Sequence, residues 1–171
     1  AGSKANEDVR DYLVKTMEGA DLETTLYPYD VYIPKDPGTS VVEIVTPKRK
    51  PLNQKEDIIP GNPYSSHPEL PKGWNAYSGS GDVTAEVVYA NYGTKEDYEK
   101  LAELGIDIQG KIVLARYGRN FRGFKAKYAE QYGAAGVLIY TDPRDYGYSK
   151  GLVYPEGNNS RSMARRITLH L

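Results

Sequence analysis

The chain has 171 residues, enough for one domain of ordinary size but not for two with separate large cores. Its 22 Lys and Arg against 23 Asp and Glu leave a formal charge of −1, which excludes a globally basic nucleic-acid binder and an acidic solvating tail. With no Cys, it has no disulfide, thiolate metal site or thiol nucleophile, and no run of about 18 apolar residues offers a membrane-crossing helix.

Ala1-Gly2-Ser3 reads as a cloning remnant, and no charged-then-apolar leader follows it. Asn6 is a candidate helix N-cap, with Glu7 and Asp8 in the first turn where the helix dipole favours acids. Val9, Tyr12, Leu13, Met17 and Ala20 form one apolar stripe and Gly19 can close the helix, so residues 6–18 are predicted to be an amphipathic helix. Residues 22–33, rich in Thr, Tyr and Val, are predicted to form a strand. A turn at 34–38 leads to a second strand at 41–45, stopped by Pro47. Residues 1–46 are thus read as a helix plus two strands.

Residues 47–76 form a connector that holds Pro51, Pro60, Pro63, Pro68 and Pro71 besides Pro47, six of the 11 prolines. Loops of this length inside a compact domain are uncommon, so the organisational boundary is placed here. Beyond it, 83–90 reads as a strand. Thr94-Lys95-Glu96-Asp97 resembles a capping box with Asp in the Glu place, and Gly105 ends its helix. Lys111–Ala115 reads as a strand covered on both faces, 121–132 as a helix, and 136–140 as a buried strand. The resulting β-α-β-α-β order over 83–140 predicts an α/β fold with a partly parallel sheet and flanking helices. No acid follows Glu156, and the tail 158–171 has no obvious pairing pattern.

Several chemistries find no support. His67 and His170 share no ligand spacing with each other or with an acidic cluster, so no metal is assigned to this chain. Ser78-Gly79-Ser80-Gly81 precedes a strand with the wrong spacing for a nucleophile elbow and reads as a turn. The turn Tyr117–Gly123 carries two glycines without the full dinucleotide fingerprint. Asn158-Asn159-Ser160 is a glycosylation triplet that matters only for a secreted eukaryotic chain.

That turn is nevertheless the most informative segment. Residues 111–127 hold Lys111, Arg116, Arg119, Arg122, Lys125 and Lys127 and no acid, while 82–107 hold seven acids against two lysines. A helix N-terminus favours anions, and the planar forks of Arg119 and Arg122 suit a carboxylate. Either these arginines form a carboxylate site, or they are solvated groups that pair with the acidic helix.

The ordered blocks Tyr77-Ser78-Gly79-Ser80-Gly81-Asp82-Val83, Val88–Gly93, Gly110–Gly118, Phe121-Arg122-Gly123, Gly133–Pro143 and Tyr154-Pro155-Glu156-Gly157 resemble the protease-associated (apical) domain of the glutamate carboxypeptidase II and transferrin receptor family. Residues 6–46 resemble the segment preceding it, which packs with the peptidase domain. The resemblance implies an incomplete protease-associated core over 77–157 and an atypical tail over 158–171. It implies a fragment without catalysis or cofactor of its own. The parent would be a two-zinc exopeptidase, or a receptor that lost the zinc, and would be secreted, periplasmic or membrane-anchored and extracellular. Arg122, the arginine of Phe-Arg-Gly, is implied to meet a substrate carboxylate, assisted by Arg119, which stands where Lys is typical. Expected partners are a peptide or other carboxylate-bearing ligand and the parent's own peptidase domain. No nucleic acid is expected. An open sheet edge predicts dimerisation. Two rival readings are a stand-alone interaction module of receptor type and a small α/β anion or nucleotide binder.

Overall fold

A computed structural model describes residues 2–34, 38–55, 57–70, 73, 77–159 and 168–170. The backbone falls into two compact units, residues 1–33 and 34–171. The sequence places the boundary later, after residue 46.

The first unit is built on one helix, α1 (Lys4–Glu18). It starts earlier than Asn6 because the Ser3 hydroxyl caps it, accepting from the Asn6 amide at 3.2 Å. Gly19 is the C-cap, as expected. None of the helix residues is buried. The stripe of Val9, Leu13 and Met17 lines a shallow hollow closed on one side by Thr24, Thr25 and Leu26. The strand expected over 22–33 does not form. Those residues have strand-like composition, but among the described residues none of them joins a β-ladder, and Tyr32 is 97% exposed. β-propensity is chiefly a preference for a half-covered pleated surface, and here no second strand supplies one.

In the second unit, β1 (Glu43–Ile44) pairs antiparallel with β2 (Lys50–Pro51), a two-rung ribbon clasped by the Arg49–Glu43 ion pair at 2.7 Å. The expected strand at 41–45 is therefore shorter, and its partner comes from the connector. The connector is not structureless. Leu52 donates to the Val42 carbonyl, Gly73 to the Gln54 carbonyl, and a short 3-10 turn spans Pro63–Ser66. Parts of the predicted 34–38 turn and of the tail lie outside the described residues.

The organising element is a four-stranded sheet ordered β3 (Val87–Tyr89), β4 (Ile112–Arg116), β5 (Gly136–Tyr140) and β6 (Thr168–His170). The first three are parallel, joined by α2 (Lys95–Glu103) and α3 (Arg122–Gln131), so the α/β reading holds. β3 is shorter than the predicted 83–90 because its first rung is Val87 opposite Ile112, where β4 begins. β6 runs antiparallel along β5, pairing Leu138 with Leu169. The tail thus covers one edge that the sequence leaves open, and β3 is the other edge.

α2 begins with the predicted capping box: the Thr94 hydroxyl accepts from the Asp97 amide, and the Asp97 carboxylate accepts from the Thr94 amide at 3.0 Å. The core joins Val113, Val137 and Ile139 from the sheet to Tyr98 and Leu101 of α2 and Ala129 of α3. Tyr98 stacks on Tyr132 with ring centroids 5.6 Å apart. β5 is buried along Gly136–Ile139, whereas β4 alternates, with Ile112 and Leu114 half-buried and Val113 and Ala115 fully covered. β4 is thus less enclosed than the sequence predicts. No helix among the described residues is long and apolar enough to cross a membrane.

Candidate functional site

In a parallel sheet the loops leaving the carboxyl ends of the strands gather on one edge, where ligand sites are commonly built. Here those loops are Ala90–Gly93 after β3, Tyr117–Phe121 after β4 and Thr141–Asp145 after β5. Arg119 belongs to the middle one, and Arg122 follows it as the first residue of α3.

Beneath them lies a dense polar layer. Arg116, at the end of β4, is only 8% exposed. Its guanidinium donates to Asn91 Oδ1 at 2.7 and 3.1 Å, faces Asp145 at 3.5 Å and Asp142 at 3.8 Å, and lies 4.0 Å from the centre of the Tyr92 ring. The Tyr92 hydroxyl donates to both oxygens of Asp145, at 2.9 and 3.0 Å. Tyr140, on the end of β5, donates to Asp142 at 2.7 Å. That bond, helped by the Arg144 amide and the Arg116 charge, holds the Asp142 carboxyl below its ordinary range. Burial, and then the Asp142 bond, push the Tyr140 phenol up. Every charge in this layer faces an opposite charge or a hydrogen-bonding dipole, as buried charge requires.

Lys125 completes the layer. It sits on α3 with its side chain fully covered, and its ammonium donates to the carbonyls of Tyr92 and Gly118 and to Asn120 Oδ1. Burial lowers it to about 8, against a partial counter-pull from Asp97. Asn120 in turn donates to the Gly93 carbonyl at 3.0 Å.

Arg119 and Arg122 behave differently. Both are exposed, and among the described residues neither side chain makes an ion pair or a hydrogen bond. Arg119 stands at φ +67° beside Gly118 at φ +107°, and its guanidinium lies 5.4 Å from the Tyr92 ring. The Arg122 guanidinium lies 5.8 Å from the Tyr117 ring. Arg122 is the first residue of α3, whose N-cap Phe121 supplies no side-chain acceptor and whose first turn has no acid. The site is therefore an exposed, positively charged turn mounted on a layer of paired charges. The alternative in which the two arginines pair with the acidic α2 is not what the structure contains: α2 pairs its own Lys95 with Glu99 and Lys100 with Glu103.

The sequence singled out Arg119 and Arg122 but missed the groups that carry them. Arg116, Asn91, Asp142, Asp145 and Lys125 converge from the end of β4, two loops and a helix. The one available signal was the absence of any acid between Lys111 and Lys127, where buried cations had to find partners elsewhere. Among the described residues no group of three or more His, Asp or Glu side chains is arranged to hold a metal ion.

The PA domain family matches residues 83–168. A "Probable glutamate carboxypeptidase" of Arthroderma benhamiae is 38% identical over 158 residues, which is 89% of this chain and 22% of the relative. A "Glutamate carboxypeptidase 2 homolog" of Caenorhabditis elegans is 34% identical over 169 residues, 91% of this chain and 21% of its own length. "Aminopeptidase NAALADL1" of Rattus norvegicus is 41% identical over 87 residues, 51% of this chain and 12% of its own. The chain thus spans about a fifth of the length of the first two relatives.

Proposed function

Since the chain belongs to the PA domain family, we propose that it is the non-catalytic, substrate-recognising part of a glutamate carboxypeptidase-like zinc exopeptidase. In this reading the 117–123 turn receives a carboxylate of a peptide, with Arg122 as the principal contact and Arg119 as its assistant. The observation that carries it is the contrast within one layer: Arg116 is fully partnered, while Arg119 and Arg122, on the adjoining turn, are exposed and without ion pairs. A guanidinium left free beside an uncapped helix N-terminus suits an external carboxylate, through bidentate bonding and the helix dipole together.

The covered share of the relatives fits the same view. Bond cleavage and the zinc ions belong to a portion of the parent outside this chain, and the apolar stripe of α1 is a surface for that portion to cover. The parent acts outside the cytosol, secreted, periplasmic or membrane-anchored.

Titration of the 171-residue chain with glutamate-terminated peptides tests the reading. Saturable binding is expected, reduced at least ten-fold in Arg122→Ala and less in Arg119→Ala, with both variants folded as the parent chain. Binding of nucleotides in preference to peptides supports the small anion-binder reading instead. No binding of either kind leaves the receptor-like interaction module.

A further inference from the structure

Lys125 is a costly residue where it stands. Its side chain is 0% exposed, and no carboxylate contacts its ammonium among the described residues. A methionine would fill the same space without the desolvation cost of a buried charge. What the ammonium does, and a methionine could not, is join two loops. It takes the Tyr92 carbonyl from the loop after β3, and the Gly118 carbonyl (2.9 Å) and Asn120 Oδ1 (2.5 Å) from the loop after β4. Asn120 reaches back to Gly93, closing a ring of bonds around Arg119. Gly93 makes room for this: a Cβ there would stand 3.3 Å from Lys125 Cβ and 3.2 Å from Ala115 Cβ.

The turn needs such a fastening. Gly118 and Arg119 are both left-handed, a conformation that costs a non-glycine residue energy and persists only where surrounding bonds enforce it. We propose that Lys125 is the positioning residue of the arginine turn: its ammonium, bonded to Gly118 and Asn120 on either side of Arg119, locks Gly118 and Arg119 in the left-handed conformation that presents Arg119 and Arg122 together. This deepens, and for its ligand rests on, the carboxylate reading above.

The charged and titratable groups around Lys125 are few. Asp97 at the start of α2 acts on it through space, and Tyr98 of α2 donates to its backbone carbonyl at 3.1 Å. Tyr92 turns its hydroxyl away to Asp145. When the turn opens while Lys125 stays covered on α3, the ammonium loses its acceptors without gaining water, so the closed turn is favoured by the protonated lysine. Loss of the proton leaves two N–H groups for three acceptors, and the fastening weakens as pH rises through the lysine's range, while the arginines stay charged.

The test uses trypsin cleavage after Arg119, expressed relative to cleavage after Arg49 in the same digest, from pH 7 to 9.5. In the wild type this ratio is expected to rise with the midpoint at which the Lys125 13Cε resonance titrates. In Lys125→Met it is expected to be at least ten-fold higher at pH 7 and independent of pH, with glutamate-terminated-peptide affinity at least ten-fold lower. A wild-type ratio that stays flat while Lys125 titrates overturns the proposal, and so does a folded Lys125→Met chain with the wild-type ratio. Should the variant fail to fold, the wild-type pH series decides. If the wild type binds no peptide, the carboxylate reading fails alone, and the cleavage ratios still decide the role of Lys125.

Discussion

Residues 1–33 and the parallel sheet of residues 87–140 are similar in pattern and opposite in outcome. Both carry clean amphipathic helices with good caps, at Ser3 and at Thr94. Yet α1 buries no residue, whereas α2 buries Tyr98 and Leu101 against Val113, Val137 and Ile139. The difference is one of sequence neighbours. Two parallel strands require a crossover, and the crossover helix is delivered onto the sheet by its own connections. α1 is followed by a segment that finds no strand to pair with, so its apolar stripe stays at the surface. Periodicity makes a helix amphipathic; only topology supplies what the apolar face lies against.

The sharpest way to break this comparison is to truncate one side chain on each side of it. Ile139→Ala, at a fully buried position, is expected to lower unfolding free energy by about 2–5 kcal/mol. Leu13→Ala, on the half-exposed face of α1, is expected to change it by no more than about 0.5 kcal/mol. Urea unfolding of the 171-residue chain measures both. A large loss from Leu13→Ala would mean that the α1 face is already covered.

A second effect is smaller and depends on pH. Lys125 lies near 8 in the folded chain against an ordinary 10.5, so between those values the unfolded chain holds more protons than the folded one. Stability from this group therefore rises as pH climbs from about 8 to about 10.5, by at most about 3 kcal/mol. The difference in unfolding free energy between wild type and Lys125→Met, followed over that window, isolates the contribution. A difference independent of pH would show that the lysine is not desolvated. The sign is opposite to that of the local effect, because global unfolding hydrates the ammonium, whereas opening of the turn alone leaves it covered and without its acceptors.

The weakest effect expected concerns the sheet edges. β6 covers β5, leaving β3 as a three-residue edge with Val87 and Tyr89 partly exposed. Short edges resist pairing, so self-association through it should appear only at high concentration. Size-exclusion chromatography with light scattering that finds a monomer at every concentration removes the dimer from consideration.

The same comparison explains what was legible in the sequence. β5 is found where the apolar run places it, and the Thr94–Asp97 box forms although Asp replaces Glu, because both signals are local. The 22–33 strand failed because pairing is not local. In the 121–132 helix the apolar Phe121 and Phe124 are both exposed, and Phe124 stacks on Tyr128. The buried pair is Lys125 and Ala129, one turn apart. A lysine is seldom expected inside, and only the three acceptors brought by distant loops make its burial possible. The burial of Arg116 was likewise unreadable, since Asn91, Asp142 and Asp145 reach it from the loops after β3 and β5.

Two of the three acceptors that Lys125 holds are backbone carbonyls, those of Tyr92 and Gly118. A main-chain oxygen is present whatever residue occupies the position, so the platform asks nothing of the side chains at positions 119 and 122. Exchanging Arg119 for Asn, which tolerates its left-handed backbone, or Arg122 for Gln leaves every one of those bonds in place. The turn is in that sense a replaceable tip, whose charge is set by side chains separate from the bonds that hold it.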